Sequence, residues 1–248
     1  MFVSQARYFC GLANHFGVPD RLFGASGSIV VPAPSRQGSG RVSHHHIGRH
    51  SLIWTDPDLM PILADWDRRQ TAVAFDELRT AALASSAELL GHGLEHVLPA
   101  TYRQLPRPPE VTVLDGGSAD GIRTAQSMFD ECSKEDLDEA EFEIDALDPH
   151  LVGWIEGGRL LALAGGRPEK ARPECMDIGV LVHPDARLGG RGRAVVAAVA
   201  ELVLESGNVA LYRCESANIG SQRLCRSVGF ELAMELDAFQ WPALITES

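Results

Sequence analysis

The chain has 248 residues, 45% of them apolar and 23% charged, and a formal net charge of −12. The length favours two domains over one, and the composition excludes long disordered stretches. A negative balance of this size excludes a broad phosphate-neutralising face, so nucleic acid is not an expected partner.

The predicted elements follow in chain order. Residues Ala6–Phe16 read as a helix closed by Gly17, and Ser28–Val31 as a strand. The run His44-His45-His46 reads as extended chain, in which alternation puts His44 and His46 on one face and His45 on the other. Three imidazoles so placed do not converge on a metal, and a polar strand face is the expectation. A strand over His50–Trp54 stops at Thr55-Asp56-Pro57, and Asp56 or Asp58 caps a short helix over Pro57–Asp65. Ala72–Leu90 reads as a longer helix ending at Gly91.

The segment Leu105-Pro106-Arg107-Pro108-Pro109-Glu110 forbids regular structure and stiffens the chain. Residues 106–110 are therefore expected to link a smaller α/β domain over 1–105 to a second domain over 111–248. Beyond it come a strand at Val111–Leu114 and a turn at Gly116-Gly117. Ser118 then caps a helix that carries Ile122, Ala125 and Phe129 on one face. Ser133 and Asp136 open a second, acidic helix. The carboxylates between Asp130 and Asp148, among them Glu131, Asp138, Glu143 and Asp145, read first as a solvated face and second as an attractor of cations. Leu151–Ile155 and Arg159–Ala164 form a hairpin through Glu156-Gly157-Gly158. Met176–Val182 is a strand, Gly192–Ser206 a helix buried on Val195, Val199 and Leu202, and Ala210–Cys214 a strand. Ala217–Ser227 is a helix, and Phe230–Phe239 gives one or two final strands. The order β-α-α-β-β-β-α-β-α-β implies an α+β domain.

No run approaches the ~18–20 apolar residues of a bilayer span, and Met1–Cys10 shows no basic region followed by an apolar core. A cytoplasmic protein is expected. Cys10, Cys132, Cys175, Cys214 and Cys225 lie far apart without a C-x-x-C pair, which reads as reduced thiols with no metal centre.

The turn Arg187-Leu188-Gly189-Gly190-Arg191-Gly192 joins an apolar strand to a helix. The helix start offers unpartnered N–H groups and about +0.5 charge, the glycines allow close approach, and Arg187, Arg191 and Arg193 add charge. An anion is expected there. The chain lacks the lysine of a Walker loop, and Val195 stands where a dinucleotide fingerprint needs its third glycine.

Two spaced blocks give a resemblance. Val182-His183-Pro184 followed by Arg187-x-x-Gly190-x-Gly192 is similar to the Q/R-x-x-G-x-G/A motif of the GNAT superfamily of acyl-CoA N-acyltransferases. Asn218, Ser221, Leu224, Gly229 and Phe230 match a second element of that family. The resemblance spans about Val111–Trp241. It implies a mixed, mostly antiparallel central sheet flanked by helices, with acetyl-CoA as co-substrate and an amine acceptor, small-molecule or protein, in a monomer or homodimer. The first 105 residues resemble, more weakly, the amino-terminal extension of two-domain members, and a degenerate copy of the same fold is a further reading of them.

The family's mechanism implies direct attack by the amine within a ternary complex. Arg187 to Ala194 would hold the cofactor's diphosphate, a backbone N–H at Leu181 or Val182 the carbonyl oxygen, and Asn218 the pantetheine arm. An N-cap role fits Asn218 equally. The amine has to lose a proton, and Glu174 is the expected acceptor, with Asp177 and Glu215 as other carboxylates near the strand ends. Cys225 stands where the family has the tyrosine that protonates the leaving thiolate. It reads either as a replacement acid or as a buried filler. A non-catalytic acyl-CoA-binding or regulatory module is the alternative function.

Overall fold

The computed structural model describes residues 3–142 and 150–242. Glu143, Asp145 and Asp148 of the acidic stretch lie outside the described residues. In chain order the elements are α1 (Val3–Phe16), β1 (Gly27–Pro32), β2 (Arg41–Ile47), β3 (His50–Thr55), α2 (Met60–Leu63), α3 (Phe75–Ala84) and β4 (Glu88–Val97). They continue with β5 (Val111–Leu114), α4 (Ala119–Phe129), α5 (Lys134–Ala140), β6 (His150–Glu156), β7 (Arg159–Glu169) and β8 (Arg172–Val182). The last are α6 (Arg191–Glu205), β9 (Val209–Glu215), α7 (Ile219–Val228) and β10 (Glu231–Gln240). Residue contacts divide the chain into two compact units. The first takes the residues up to Tyr8, then His96–Arg213 and Ile219–Glu231; the second takes Phe9–Glu95, Cys214–Asn218 and the residues from Leu232. The proline-rich segment 106–110 lies inside the first unit, where the side chains of Gln104 and Arg107 donate to the buried Glu201 on α6 at 2.8 and 3.3 Å.

In the first unit the strand order is β9-β8-β7-β6-β5. β5 to β8 run antiparallel to their neighbours and β9 runs parallel to β8, which makes the sheet mixed and mostly antiparallel. The β6–β7 turn places Gly157 at φ 58° and Gly158 at φ 79°, the left-handed pair that matches the twist of a tight hairpin. On one face, Leu151, Leu163 and Leu181 pack with Ala125, Met128 and Phe129 of α4 and with Ala140 at the end of α5. Ser118 caps α4 and Ser133 caps α5, each accepting the N–H three residues on. Gly179 is required here, because a Cβ on it would come within 2.6 Å of the Ala140 carbonyl oxygen. The opposite face carries α6, whose Val199 and Val203 close over Gly166.

Two details differ from expectation in this unit. Ile122 is 37% exposed, and Met128 takes the buried place on α4, because the apolar face turns toward Ala125 and Phe129. β7 and β8 each run 11 residues, well past the short strands that the apolar runs suggested.

In the second unit the order is β1-β3-β2-β10-β4, with β1 parallel to β3 and the β3–β2 and β2–β10 pairs antiparallel. Val30, Val42, Ile53, Leu59, Leu63, Leu78, Phe239 and Trp241 form its core. The helix expected over 72–90 is corrected: α3 ends at Ala84, Ser86 takes φ 58°, and Glu88 begins a strand. The run Glu88–Val97 holds Gly91, Gly93 and a β-branched end, which cost a helix more than a strand edge. The histidine strand keeps its expected alternation, with the His44 and His46 rings 4.7 Å apart and His45 packed on Phe16 instead. Its polar face is buried: His44 is 0% exposed, and burial, with a smaller contribution from His46, lowers its pKa to about 3. Among the described residues no helix is long and apolar enough to cross a membrane, and no group of His, Cys, Asp or Glu is arranged to hold a metal.

Candidate functional site

The feature that organises the first unit is a strand pair that meets briefly and parts. β8 and β9 pair only at Cys175↔Val209, Met176↔Ala210 and Asp177↔Leu211, while β8 continues to Val182 and β9 to Glu215. Backbone groups on β8 beyond Asp177 therefore have a partner strand on the β7 side alone. Alternation settles which of them face away from it. His183 N–H donates to Leu161 O at 2.9 Å, and the register pairs Leu181 with Leu163 and Val182 with Ala162. His183 and Leu181 thus direct their N–H groups to β7, whereas Val182 and Val180 direct theirs away from it. Of the two expected carbonyl-oxygen donors, Leu181 is committed to the sheet and Val182 is the one turned outward.

The turn after β8 combines left-handed residues with the start of a long helix. A short 3₁₀ turn over Pro184–Ala186 leads into Leu188 at φ 65° and Gly190 at φ 77°. The first of these is a fully exposed apolar residue in a left-handed conformation that only glycine adopts freely, a strained arrangement that concentrates at sites of function. Among the described residues, no backbone N–H from Leu188 to Arg193 donates to a protein acceptor; the first to do so is Ala194, to Gly190 O at 3.1 Å. These groups and the dipole of the 15-residue α6 converge where the chain enters the helix. Gly192 is buried, and a Cβ there would come within 3.0 Å of Val182 Cγ2 and 3.6 Å of Leu224 Cδ1, so the end of β8, the start of α6 and the middle of α7 meet at this glycine.

The three arginines are not alike. Arg187 donates from Nη2 to Asp136 Oδ1 at 2.5 Å and from Nε to Val182 O at 3.4 Å, tying the end of β8 to the first turn of α5. Burial pushes the Asp136 carboxyl upward, but hydrogen bonds from Ser133 and Arg187 outweigh it and hold the group below the usual carboxylate range. Arg191 donates to Glu156 at 2.8 Å, and this bond, with a second from Trp154, holds the Glu156 carboxyl low. Arg193 donates to Ser227 O at 3.0 Å and braces α6 against α7. Asp136 and Glu156 as arginine partners were not visible in the sequence, since they lie 51 and 35 positions from the residues they bind.

The other expected site residues fall out as follows. The β7–β8 register shifts between Met176 and Arg172, so strand alternation does not fix the face that Glu174 takes relative to Asp177. Asp177 is 8% exposed and accepts from Arg213 Nε at 2.9 Å and Nη2 at 2.5 Å. Glu174 is half-buried, one residue before the β8–β9 pairing begins. Cys225 is 0% exposed on the inner side of α7, and its Sγ donates to Gln222 O at 3.3 Å. Asn218 directly precedes α7 and belongs to the second unit, where its N–H donates to Glu215 O at 3.0 Å. Sequence reasoning missed Tyr212, a buried tyrosine on β9 whose hydroxyl lies 2.8 Å from Ser221 Oγ. Its position next to an apolar strand run was the available signal, and it reads equally well as core.

Residues 120–230 match the family model described as Acetyltransferase (GNAT) family. Solved structures share the fold. An acetyltransferase from the GNAT family of Colwellia psychrerythraea aligns with 16% identity and a TM-score of 0.52, over 77% of this chain and 76% of that one. A GCN5-related N-acetyltransferase from Sphaerobacter thermophilus aligns with 15% identity and a TM-score of 0.50, over 86% of this chain and 63% of that one. No curated protein matches this chain significantly.

Proposed function

Since residues 120–230 form a GNAT acetyltransferase domain, with the amino-terminal region additional to it, we propose that this protein binds acetyl-CoA and moves its acetyl group to an amine by direct attack. The observation that carries the reading is the row of N–H groups from Leu188 to Arg193 without protein acceptors, at the start of α6 and beside the strand pair that parts. The donor set fits a diphosphate: backbone N–H groups in a left-handed turn, a helix dipole, and arginines within reach of the rim. Leu188 to Ala194 hold the diphosphate in this reading. When bound, the co-substrate supplies the thioester carbonyl that an amine attacks. The Val182 N–H, turned away from β7, receives the oxygen that gains charge as attack proceeds. Glu174 accepts the amine's proton, because the Asp177 carboxylate is engaged by Arg213 and serves to hold β8 to β9.

The test is release of free coenzyme A by the full-length protein from acetyl-CoA in the presence of a panel of primary amines, polyamines and peptides with free amino termini. Release above the hydrolysis background with any of them supports the proposal. Tight binding of acetyl-CoA with no amine-dependent release would instead make the protein a non-catalytic acyl-CoA-binding module.

Arg187 gives a second expected result. In the structure its guanidinium is shared with Asp136, and the side chains are 48% and 23% exposed, so the pair stabilises the fold by at most about 1 kcal/mol. Asp136→Asn releases the guanidinium toward the diphosphate. Coenzyme A should bind about threefold to fivefold more tightly, the most that a pair of about 1 kcal/mol can return. The melting temperature falls slightly through the weakened first turn of α5. Calorimetric titration checks this, and weaker binding would mean that Asp136 positions Arg187 rather than competing for it.

A further inference from the structure

We propose that His183 is a positioning residue for the anion-binding turn: its neutral imidazole fixes the backbone that carries the row of N–H groups, and its protonation releases that backbone and loosens the grip on coenzyme A. The proposal rests on the acetyl-CoA reading above. His183 directly follows Val182 and is 5% exposed. Its main chain is held on both sides, since its N–H donates to Leu161 O at 2.9 Å and its carbonyl accepts from the Ala186 N–H at 2.9 Å. Its ring then caps the 3₁₀ turn over Pro184–Ala186, where Nδ1 accepts from the Asp185 N–H at 3.2 Å.

Those contacts fix the tautomer. A backbone N–H only donates, so Nδ1 carries no proton, and the single proton of the neutral ring sits on Nε2. Nε2 lies 3.2 Å from Glu131 Oε2, an acceptor, so both ring nitrogens are matched. The same carboxylate oxygen accepts from Arg159 Nη2 at 2.7 Å. Charged groups reach this corner from each element around it: Glu131 from the end of α4, Asp136 from α5, Arg159 from β7, and Asp185 and Arg187 from the turn itself. A second proton on the ring goes to Nδ1, where it meets the Asp185 N–H head on. Two donors cannot share one hydrogen bond, so the cap is lost.

The turn carries that loss to the ligand. Ala186, bonded to His183 through its N–H, offers its own carbonyl to Arg191 Nη1 at 3.4 Å, and Arg187 Nε reaches back to Val182 O at 3.4 Å. Leu188 and Gly190 take their left-handed conformations directly after these residues. The direction of the N–H groups from Leu188 to Arg193 therefore depends on where the backbone of 183–187 delivers the chain. A turn that has lost its cap must be reordered when the diphosphate binds. One lost N-cap bond typically corresponds to about fivefold in an equilibrium constant. Imidazole ordinarily changes charge between about pH 5 and 8, which sets the range over which the effect is read.

The experiment measures the affinity of the full-length protein for coenzyme A by calorimetric titration from about pH 8 to about pH 5.5, in wild type, His183→Asn and His183→Gln. Asparagine places Oδ1 where histidine has Nδ1, so it keeps the cap and does not titrate. Glutamine reaches Glu131 instead and gives up the cap. The monoester phosphate of coenzyme A titrates near ~6 in every case, so the differences between proteins carry the answer. Across the range wild type should lose about fivefold more affinity than His183→Asn, and His183→Gln should bind about fivefold more weakly than wild type at the alkaline end. In the free protein, the Asp185 amide resonance should move over the same range in wild type and stay in place in His183→Asn. Affinity profiles of wild type and His183→Asn that superimpose, or an Asp185 amide indifferent to pH, overturn the role of His183 and leave the acetyl-CoA reading standing. The expected profiles in a protein that acetylates no amine uphold His183 and overturn the transferase reading alone. Failure of all three proteins to bind coenzyme A at any pH overturns both.

Discussion

Replacing Gly190 by valine should weaken coenzyme A binding by about 100-fold or more, because it removes the conformation on which the anion site depends. Gly190 caps α6 at φ 77°, ψ 0°, and nothing lies within 4 Å of where its Cβ would be. Space is therefore not the obstacle; backbone conformation is. A β-branched residue in the left-handed region costs about 1–3 kcal/mol, and the chain escapes by rotating the 189–191 peptides. Each N–H turned away from a charged acceptor forfeits about 1.5–3 kcal/mol, so two of them account for at least 100-fold in affinity. Gly190→Asn separates the causes, since asparagine tolerates the left-handed region and should lose only a few-fold. Calorimetric titration with coenzyme A reads both. Equal affinity in Gly190→Val and wild type would place the diphosphate elsewhere and remove the main support for the proposed function.

That expectation was open to sequence reasoning because its causes are local. A glycine-rich turn between an apolar strand and an apolar helix has few structural solutions, and the resemblance carried by the two spaced blocks implied the fold around it. The order of elements after residue 110 was legible for the same reason: α4 and α5 carry their own caps, at Ser118 and Ser133, and the β6–β7 turn carries its own glycines. The helix expected over 72–90 failed where local signals conflict. Alanine-rich sequence favours helix up to Ala84, and only the pairing of Glu88–Val97 within a sheet decides for a strand beyond it. The partners of Arg187, Arg191 and Tyr212 were illegible for a different reason. Nothing in Asp136, Glu156 or Ser221 taken alone distinguishes it from a solvated helix or hairpin residue until the fold brings it to its partner.

The same limit hid the most polar part of the second unit, where the second large effect is expected. Asp237 is 0% exposed; it accepts from Arg79 Nε at 2.6 Å and Nη2 at 2.8 Å, and lies 2.6 Å from His92 Nδ1. The Arg79 guanidinium is held in turn 5.5 Å from the Phe75 ring centroid, and that ring also meets His46 and His92. A hydrogen bond from Arg79 to the Asp237 carboxylate raises the guanidinium pKa against the opposing pull of burial, so the arginine stays charged at any pH the protein survives. Truncating Asp237 therefore removes the one fully buried carboxylate of the cluster and leaves Arg79 with Asp76 at 3.8 Å and His92 with Glu235 at 3.6 Å. Breaking a buried pair in this way costs about 3–5 kcal/mol, and the partial exposure of Arg79 brings the expected loss for Asp237→Ala toward the lower figure. Denaturant unfolding followed by tryptophan fluorescence is suited to the measurement, since Trp54, Trp66 and Trp241 all lie in the second unit. In a double-mutant cycle, Arg79→Met in the Asp237→Ala background should recover about 1–2 kcal/mol by removing the charge that has lost its buried partner. Additive losses would instead show that the two side chains act through separate contacts, and that the layer from His44 to His92 is held by its rings rather than by the carboxylate at its centre.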